Sequence, residues 1–466
     1  MGTATDAGRR QLGSVLVRLR ELSGLRAFTV LWVGQVVSAM GTRMINFTLG
    51  IWIWERTGQV SALSVLTVCA YGATVVCSPL AGSLVDRVSR RLTIMLSDIG
   101  SAGTTAIMLV LFLTGQADFW TLIVTNTLTG AFLAFQYPAY ASTIASMLPK
   151  EQYPRANGMM SLVRSLPTII APALAGLLLK SSGVPAVLAV CIASYLIAIG
   201  TVFLVRLPSP PGTPVHGEAG ASRGWTAGFR YIARRRGLAG LLTLTTVVAL
   251  SSALGYVALI PLILVRTGNN QVQLGIVQSV GAVGGVCGAL ALTLGRAPRR
   301  KMIGVIGGTL VFSVLGQMAI GIGRTMLVWV FAWFFAWLAV PFVEGYVQSI
   351  WQQKTPPGVQ GRVFATTQFC ETLALPVGFA ISGPLIDHFL RPEMESGGAL
   401  TSVFGWLVGT GPSAGIALMF VIAGSLGAVC ALGALVVRDV SDVENRLPDG
   451  ENAAEGAGAD DLSEAR

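Results

Sequence analysis

Charge is what this sequence has least of. Ionised side chains make up 12% of its 466 residues, about half the roughly 25% of an ordinary soluble domain. Histidine occurs only twice, as His216 and His388. Neither falls in the body of a long apolar stretch, which argues against a histidine metal cage or proton relay there. The six cysteines (Cys69, Cys77, Cys191, Cys287, Cys370 and Cys430) all lie inside apolar stretches, where they read as small packing residues rather than disulfide or metal ligands. No Gly-x-x-x-x-Gly-Lys-Ser/Thr phosphate loop is present, so direct ATP drive by this chain is not expected. With no catalytic constellation either, the chain does not read as an enzyme, and no cofactor is expected.

What the sequence has instead is apolar length. Hydrophobic residues reach 53%. Stretches of about 20 mostly apolar residues, enough to span a bilayer, recur at 28–54, 60–83, 92–115, 118–147, 157–180, 184–206, 239–265, 271–295, 301–322, 325–352, 363–388 and 411–437. Hydrocarbon offers no partner to a bare amide, and the runs are too long and uniform for barrel strands, so each is expected to be a helix. The polar, arginine-bearing first residues followed by a long apolar run do not read as a cleavable signal peptide.

The net charge of +10 does not point to nucleic acid, because of where it lies. With the N-terminus inside and alternating spans, only Arg56, Lys180, Arg266, Arg324 and Arg391 fall outside the cell, and only Arg43 and Arg164 within spans. Every other Lys and Arg is cytoplasmic, as the positive-inside rule requires. Both termini are therefore expected in the cytoplasm and the protein in the cell membrane, its basic loops against anionic lipid.

The chain divides into a cytoplasmic segment 1–27, a six-helix half 28–206, a linker 207–238, a second half 239–437 and an acidic tail 438–466. The linker opens on the proline-rich run Pro208–Pro214 and becomes amphipathic and basic through Trp225, Phe229, Tyr231 and Arg234–Arg236. That part is expected as a helix at the membrane surface, or else an unstructured basic loop. The tail is expected to be disordered.

The two halves repeat. Arg56-Thr57-Gly58 after the first span returns as Arg266-Thr267-Gly268 after the seventh, and Arg87, Arg90 and Arg91 return as Arg296, Arg299 and Arg300. Pro149, ahead of Arg155, returns as Pro356 ahead of Arg362. Three ordered matches at nearly constant offset argue for duplication.

The hairpin after the second span reads Gly82-Ser83-Leu84-Val85-Asp86-Arg87-Val88-Ser89-Arg90-Arg91. It resembles the major facilitator superfamily signature Gly-x-Leu-x-Asp-Arg-x-Gly-Arg-Arg, departing from it at Ser89. The resemblance implies an all-α membrane fold of twelve transmembrane helices in two pseudo-symmetric six-helix bundles. It also implies a conformational latch at Gly82, Asp86, Arg87, Arg90 and Arg91, with Asp86 at a helix N-terminus of the other half; a basic turn that merely fixes topology is the alternative. Leu31–Gln35, Pro138-Ala139 and Leu148–Glu151 are similar to the branch of macrolide-efflux and enterobactin-exporter-like proteins. The Gly-Pro, Gly-Gly pattern of proton antiporters survives here only as Ala171-Pro172-Ala173-Leu174-Ala175-Gly176, which weakens the antiport implication.

An ionisable residue inside a span costs about 2.5–3.5 kcal/mol on insertion scales and so marks function by default. Five qualify: Arg43, Asp98, Arg164, Glu344 and Glu371. In the superfamily, helices 1, 4, 7 and 10 line the cavity, which makes Glu344 the leading candidate for proton or substrate coupling, with a structural ion pair as the alternative. Arg164 and Glu371 take equivalent places in the two halves with opposite charge. Arg43 is a candidate partner for either glutamate or an anionic substrate. Asp98, near the arginine loop, is expected in a structural salt bridge. Gln35, Asn46, Asn126, Gln136, Tyr137 and Tyr256 are the uncharged candidates for the cavity. The expected activity is alternating-access export of a small amphipathic molecule, driven by the proton gradient, by a monomer. An uptake symporter or facilitator and a non-transporting receptor or assembly factor are the alternatives.

Overall fold

The computed structural model describes residues 3–85, 90–147, 152–205, 228–295, 298, 300–395 and 398–447. Among them it contains helices and no strand. The first five long helices are α1 (Thr3–Thr57), α2 (Val60–Val85), α3 (Arg90–Leu113), α4 (Phe119–Met147) and α5 (Tyr153–Leu204). They are followed by α6 (Arg236–Thr267), α7 (Gln271–Leu294), α8 (Lys301–Ile322) and α9 (Met326–Lys354). The last are α10 (Pro357–Leu385, running on to Glu393), α11 (Ala399–Val408), α12 (Ala414–Val436) and the short α13 (Arg438–Ser441) and α14 (Val443–Arg446).

Among the described residues, ten helices are long and apolar enough to cross a membrane. The expected stretches 157–180 and 184–206 are joined in α5, which kinks at Gly183 (φ 74°), two residues before Pro185. The stretch 118–147 forms α4, which is more polar than those ten. α10 outruns its expected end at 388, so His388 and Arg391, expected at and beyond the end of the span, continue the same helix through a π turn at Ile386–Leu390.

The repeated Arg-Thr-Gly has a local cause. Gly58 (φ 61°) and Gly268 (φ 63°) both take the left-handed conformation that closes a helix. Gly58 N donates to Trp54 O at 2.8 Å, and the Gly268 amide returns to Leu264 O. Glycine enters this region without the Cβ penalty other residues meet.

Contacts divide the chain into two compact units: 1–49 with 69–215, and 216–466 with 50–68. Gly50–Val68, which holds the last turns of α1 and the start of α2, is grouped with the second unit.

In the first unit, Phe28, Leu31, Ile94, Tyr140, Met160 and Val202 form a buried cluster, with Phe28 and Tyr140 stacked at 6.1 Å. Backbones come close where glycine removes the side chain. A Cβ on Gly130 would lie 2.3 Å from Ala70 O, and Thr74 Oγ1 donates to Gly130 O at 2.9 Å across the same α2–α4 seam. In the second unit, α7 meets α9 in the same way: a Cβ on Gly284 or Gly288 would lie 2.3 Å from Phe334 O or Leu338 O. Such approaches are how helices associate where lipid offers no hydrophobic drive.

The second unit has a polar-side cap that the sequence did not announce. A helix over 228–233 buries Ile232 beside Val440 and Val443 of the chain's last helical turns. The basic segment therefore packs against its own unit through Ile232, with Phe229 exposed and the Arg235 guanidinium over the Tyr231 ring at 3.7 Å. Residues 438–447, expected to be disordered, are helical and docked. Lys354, 4% exposed, donates to Leu447 O at 2.7 Å and to Glu444 O. The Glu444 carboxylate accepts from Met302 N at 3.1 Å, at the start of α8. Residues 206–227, including the proline run, and 448–466 lie outside the described residues.

Candidate functional site

Where apolar helices bury polar groups, those groups must find one another. The first unit does this around one carboxylate. Asp98 of α3 is fully buried. Ser38 Oγ of α1 donates to Asp98 Oδ1 at 2.8 Å, and Gln136 Nε2 of α4 donates to the same oxygen at 2.9 Å. Gln35 Nε2, one turn before Ser38, reaches Oδ2 at 3.3 Å. The two amides are linked, Gln136 Nε2 lying 3.2 Å from Gln35 Oε1. Gln35 and Ser38 share a face of α1 because their spacing is three residues.

These contacts correct the expectation of a salt bridge. Among the described residues the ion pairs are Arg391–Asp387 and Arg446–Asp439; the Asp98 partners are neutral amides and a hydroxyl. The arginine nearest in sequence, Arg91, instead donates to Phe203 O at 3.2 Å and lies over the Phe203 ring at 5.6 Å.

The second unit holds a related cluster on the corresponding helices. Ser251 of α6 donates to Ala423 O at 2.7 Å and approaches Gln317 Oε1 of α8 at 3.3 Å. Gln317 Nε2 donates back to Ser251 O at 3.1 Å, and both residues are buried. Gln317 stands in a π-helical stretch, Val311–Met318. The first and third helices of each half are thus joined through a serine, but to a carboxylate in one and an amide in the other. Ser38, Ser251 and Gln317 are the residues sequence reasoning passed over. The three-residue spacing of Gln35 and Ser38 was the available signal.

The remaining candidates are placed as follows. Arg43 and Asn46 of α1 are exposed, and Asn126 of α4 is buried. Glu344 of α9 is exposed on its helix and has interactions within the structure. Glu371 of α10 is half-buried near Thr245 of α6. Tyr256 is 49% exposed, its ring tilted against Phe379 at 5.8 Å. Gly82, Arg90, Tyr137 and Arg164 lie on helices, but their side chains are outside the description, and Asp86 and Arg87 lie outside the described residues altogether. Asp98, Gln35 and Gln136 are therefore the sequence candidates that the structure brings together. Among the described residues no group of His, Cys, Asp and Glu is arranged to hold a metal ion.

A second charged cluster was not anticipated. At the start of α2, Ser61 N donates to Asp387 Oδ2 at 2.7 Å. Arg391 pairs with Asp387 Oδ1 at 3.2 Å and donates to Gly58 O at 2.8 Å, its guanidinium 5.9 Å from the Trp54 ring. A carboxylate at a helix N-terminus is favoured by the exposed amides and the helix dipole. Gly383 lets the helices touch, since a Cβ there would lie 2.4 Å from Ser61 Cα. Arg266, the second-half partner of Arg56, is also committed structurally. It donates to Gly321 O at 3.1 Å, to Val408 O at 3.3 Å and to Gly323 O.

The profile of the Major Facilitator Superfamily matches residues 31–379. Macrolide efflux protein A of Streptococcus pyogenes is 24% identical over 363 residues, 78% of this chain and 89% of that protein. The enterobactin exporter EntS of Shigella flexneri is 24% identical over 378 residues, 80% of this chain and 88% of the exporter. Among solved structures, a bacterial homologue of the human lysosomal transporter Spinster superposes with a TM-score of 0.63 at 14% identity, covering 88% of this chain and 97% of that one. A bacterial homologue of the iron transporter ferroportin gives 0.60 at 14%, covering 87% and 99%.

Proposed function

The chain belongs to the major facilitator superfamily, and from that premise we propose that it exports a small amphipathic molecule across the cell membrane in exchange for protons. It is an integral membrane transporter, not an enzyme. The observation that carries export is the similarity to two exporters over nearly their whole length. In this reading the chain makes twelve crossings with both termini in the cytoplasm, and two six-helix bundles rock about a central site. The substrate is macrolide-like or siderophore-like, as the relatives' names suggest.

Exchange for protons needs a membrane-embedded acid that can gain and lose a proton. Glu344 is the acid of the C-terminal half in this role: it is protonated from outside as substrate leaves and deprotonated to the cytoplasm as the next substrate binds. The chain works as a monomer, with lipids around it and no cofactor beyond the gradient.

The test is transport of a radiolabelled macrolide and of iron-free enterobactin in everted vesicles that carry the protein, with and without a pH gradient. Gradient-dependent accumulation of either compound supports the reading. Accumulation only in right-side-out vesicles would make the protein an importer. Absence of flux under any gradient, with the protein folded, would favour a receptor or assembly factor.

A further inference from the structure

We infer that Asp98 is a proton-binding site of the N-terminal half, built so that both its charged and its neutral form are hydrogen-bonded. The inference rests on the antiport reading for what the proton drives, but not for the binding itself. Three observations carry it. The carboxyl is completely buried between α1, α3 and α4. Its partners are Ser38, Gln136 and Gln35, none of which carries charge. The related buried cluster on the corresponding helices of the other unit, at a different level, is built on the amide of Gln317.

An ionised carboxylate without a cation is the most expensive group to keep in such a place, several kcal/mol even after relaxation. Were the site only structural, an amide would satisfy it, as Gln317 does in the second unit. A fixed ion pair would also stabilise the charge, but it would hold the group in one state.

The partners present allow two states. A hydroxyl and an amide each both donate and accept. With Asp98 ionised, Ser38 Oγ–H and the amide of Gln136 donate to Oδ1. When a proton binds a carboxyl oxygen, the new O–H donates to Ser38 Oγ or Gln35 Oε1, and the serine hydroxyl turns away. The proton adds to an oxygen lone pair, no other bond is broken, and its release reverses the change.

Among the described side chains, other titratable groups around the site are few. On the second half of α5, Tyr195 is bonded to Thr42 at 2.9 Å, and Cys191 Sγ donates to Gly41 O at 3.3 Å. Tyr140 of α4 stacks on Phe28. Arg43 of α1 is exposed, and Arg91 of α3 is engaged with Phe203.

The experiment uses the full-length protein in lipid nanodiscs, with the proton as the probe. Infrared difference spectra between acid and alkaline buffer report the carbonyl stretch of a protonated carboxyl. A band from a buried carboxyl is expected in the parent protein, with loss of that band in Asp98→Asn. In Ser38→Ala, which keeps the carboxyl but removes a partner, the band persists and its pH dependence shifts. Identical spectra for Asp98→Asn and the parent would overturn the proposal. If Asp98→Asn does not fold, Ser38→Ala and Gln136→Met decide, and an unshifted band in both overturns it. In proteoliposomes, Asp98→Asn is expected to keep exchange of the labelled macrolide without a gradient and to lose its proton-driven accumulation; undiminished accumulation overturns the role in coupling. A parent protein with the Asp98 band but no gradient dependence would refute antiport while leaving the proton site standing.

Discussion

Lys354 carries a charge at the end of α9 with only 4% of its surface exposed. It is held by backbone oxygens of the last described turns, at Glu444 and Leu447. Charge-assisted bonds of this kind are worth about 1.5–3 kcal/mol. Lys354→Met, which keeps the length and removes the donors, is expected to destabilise by an amount in that range, read as a lower unfolding midpoint of the purified protein. At Asp118, just ahead of α4, the effect is small. The hydroxyl and amide of Thr121 hold this exposed carboxyl below its ordinary value. Its contribution is therefore present above the usual aspartate value of about 3.9 and lost as pH falls through the lowered one. Thr121→Val is expected to remove that dependence, checked by amide exchange in the first turn of α4 as pH falls from neutral. Asp98 was visible as a charge in an apolar run, yet its partners were not. Serine and glutamine are common enough in spans that only three helices meeting could single out Ser38, Gln35 and Gln136.

Glycine decides how the long helices meet, and not every glycine does so. A Cβ on Gly288 would strike Leu338 O at 2.3 Å, whereas one on Gly307 would meet nothing within 4 Å. Gly288→Ala is expected to cost about 1–3 kcal/mol by overpacking, and Gly307→Ala to be neutral or to gain about 0.4–1 kcal/mol by stiffening the unfolded chain. Thermal unfolding of the two variants in one detergent makes the comparison. The start of α2 depends on a carboxylate from α10. Asp387→Asn removes the charge facing Ser61 N and the pair with Arg391. In a background freed of the six native cysteines, Ser61→Cys is expected to react faster with an impermeant thiol reagent when Asp387→Asn is added. The helices themselves were readable from apolar length and their ends from Arg-Thr-Gly. The docking of 438–447 was not, because the acidic composition of the tail masks the two valines, Val440 and Val443, that bury it.

At the scale of the whole molecule, the proposed antiport couples protonation to substrate movement, and single carboxylates test it. Glu344→Gln is expected to abolish pH-gradient-driven accumulation of the labelled macrolide while leaving folding, judged by the unfolding midpoint, unchanged. Undiminished gradient dependence would remove Glu344 from the cycle. The duplication is read from basic loops and helix-closing glycines that repeat in order, and Gly58 and Gly268 share the left-handed closure. The grouping of Gly50–Val68 with the second unit was not legible in the sequence, since contacts such as that between Ser61 and Asp387 are encoded by no local pattern. The two residues lie 326 positions apart. On a ribosome adding about 5–20 residues per second, the amide of Ser61 waits on the order of 15–65 s for its carboxylate to be made. During that interval the beginning of α2 must be kept in place by the insertion machinery, by lipid headgroups or by water.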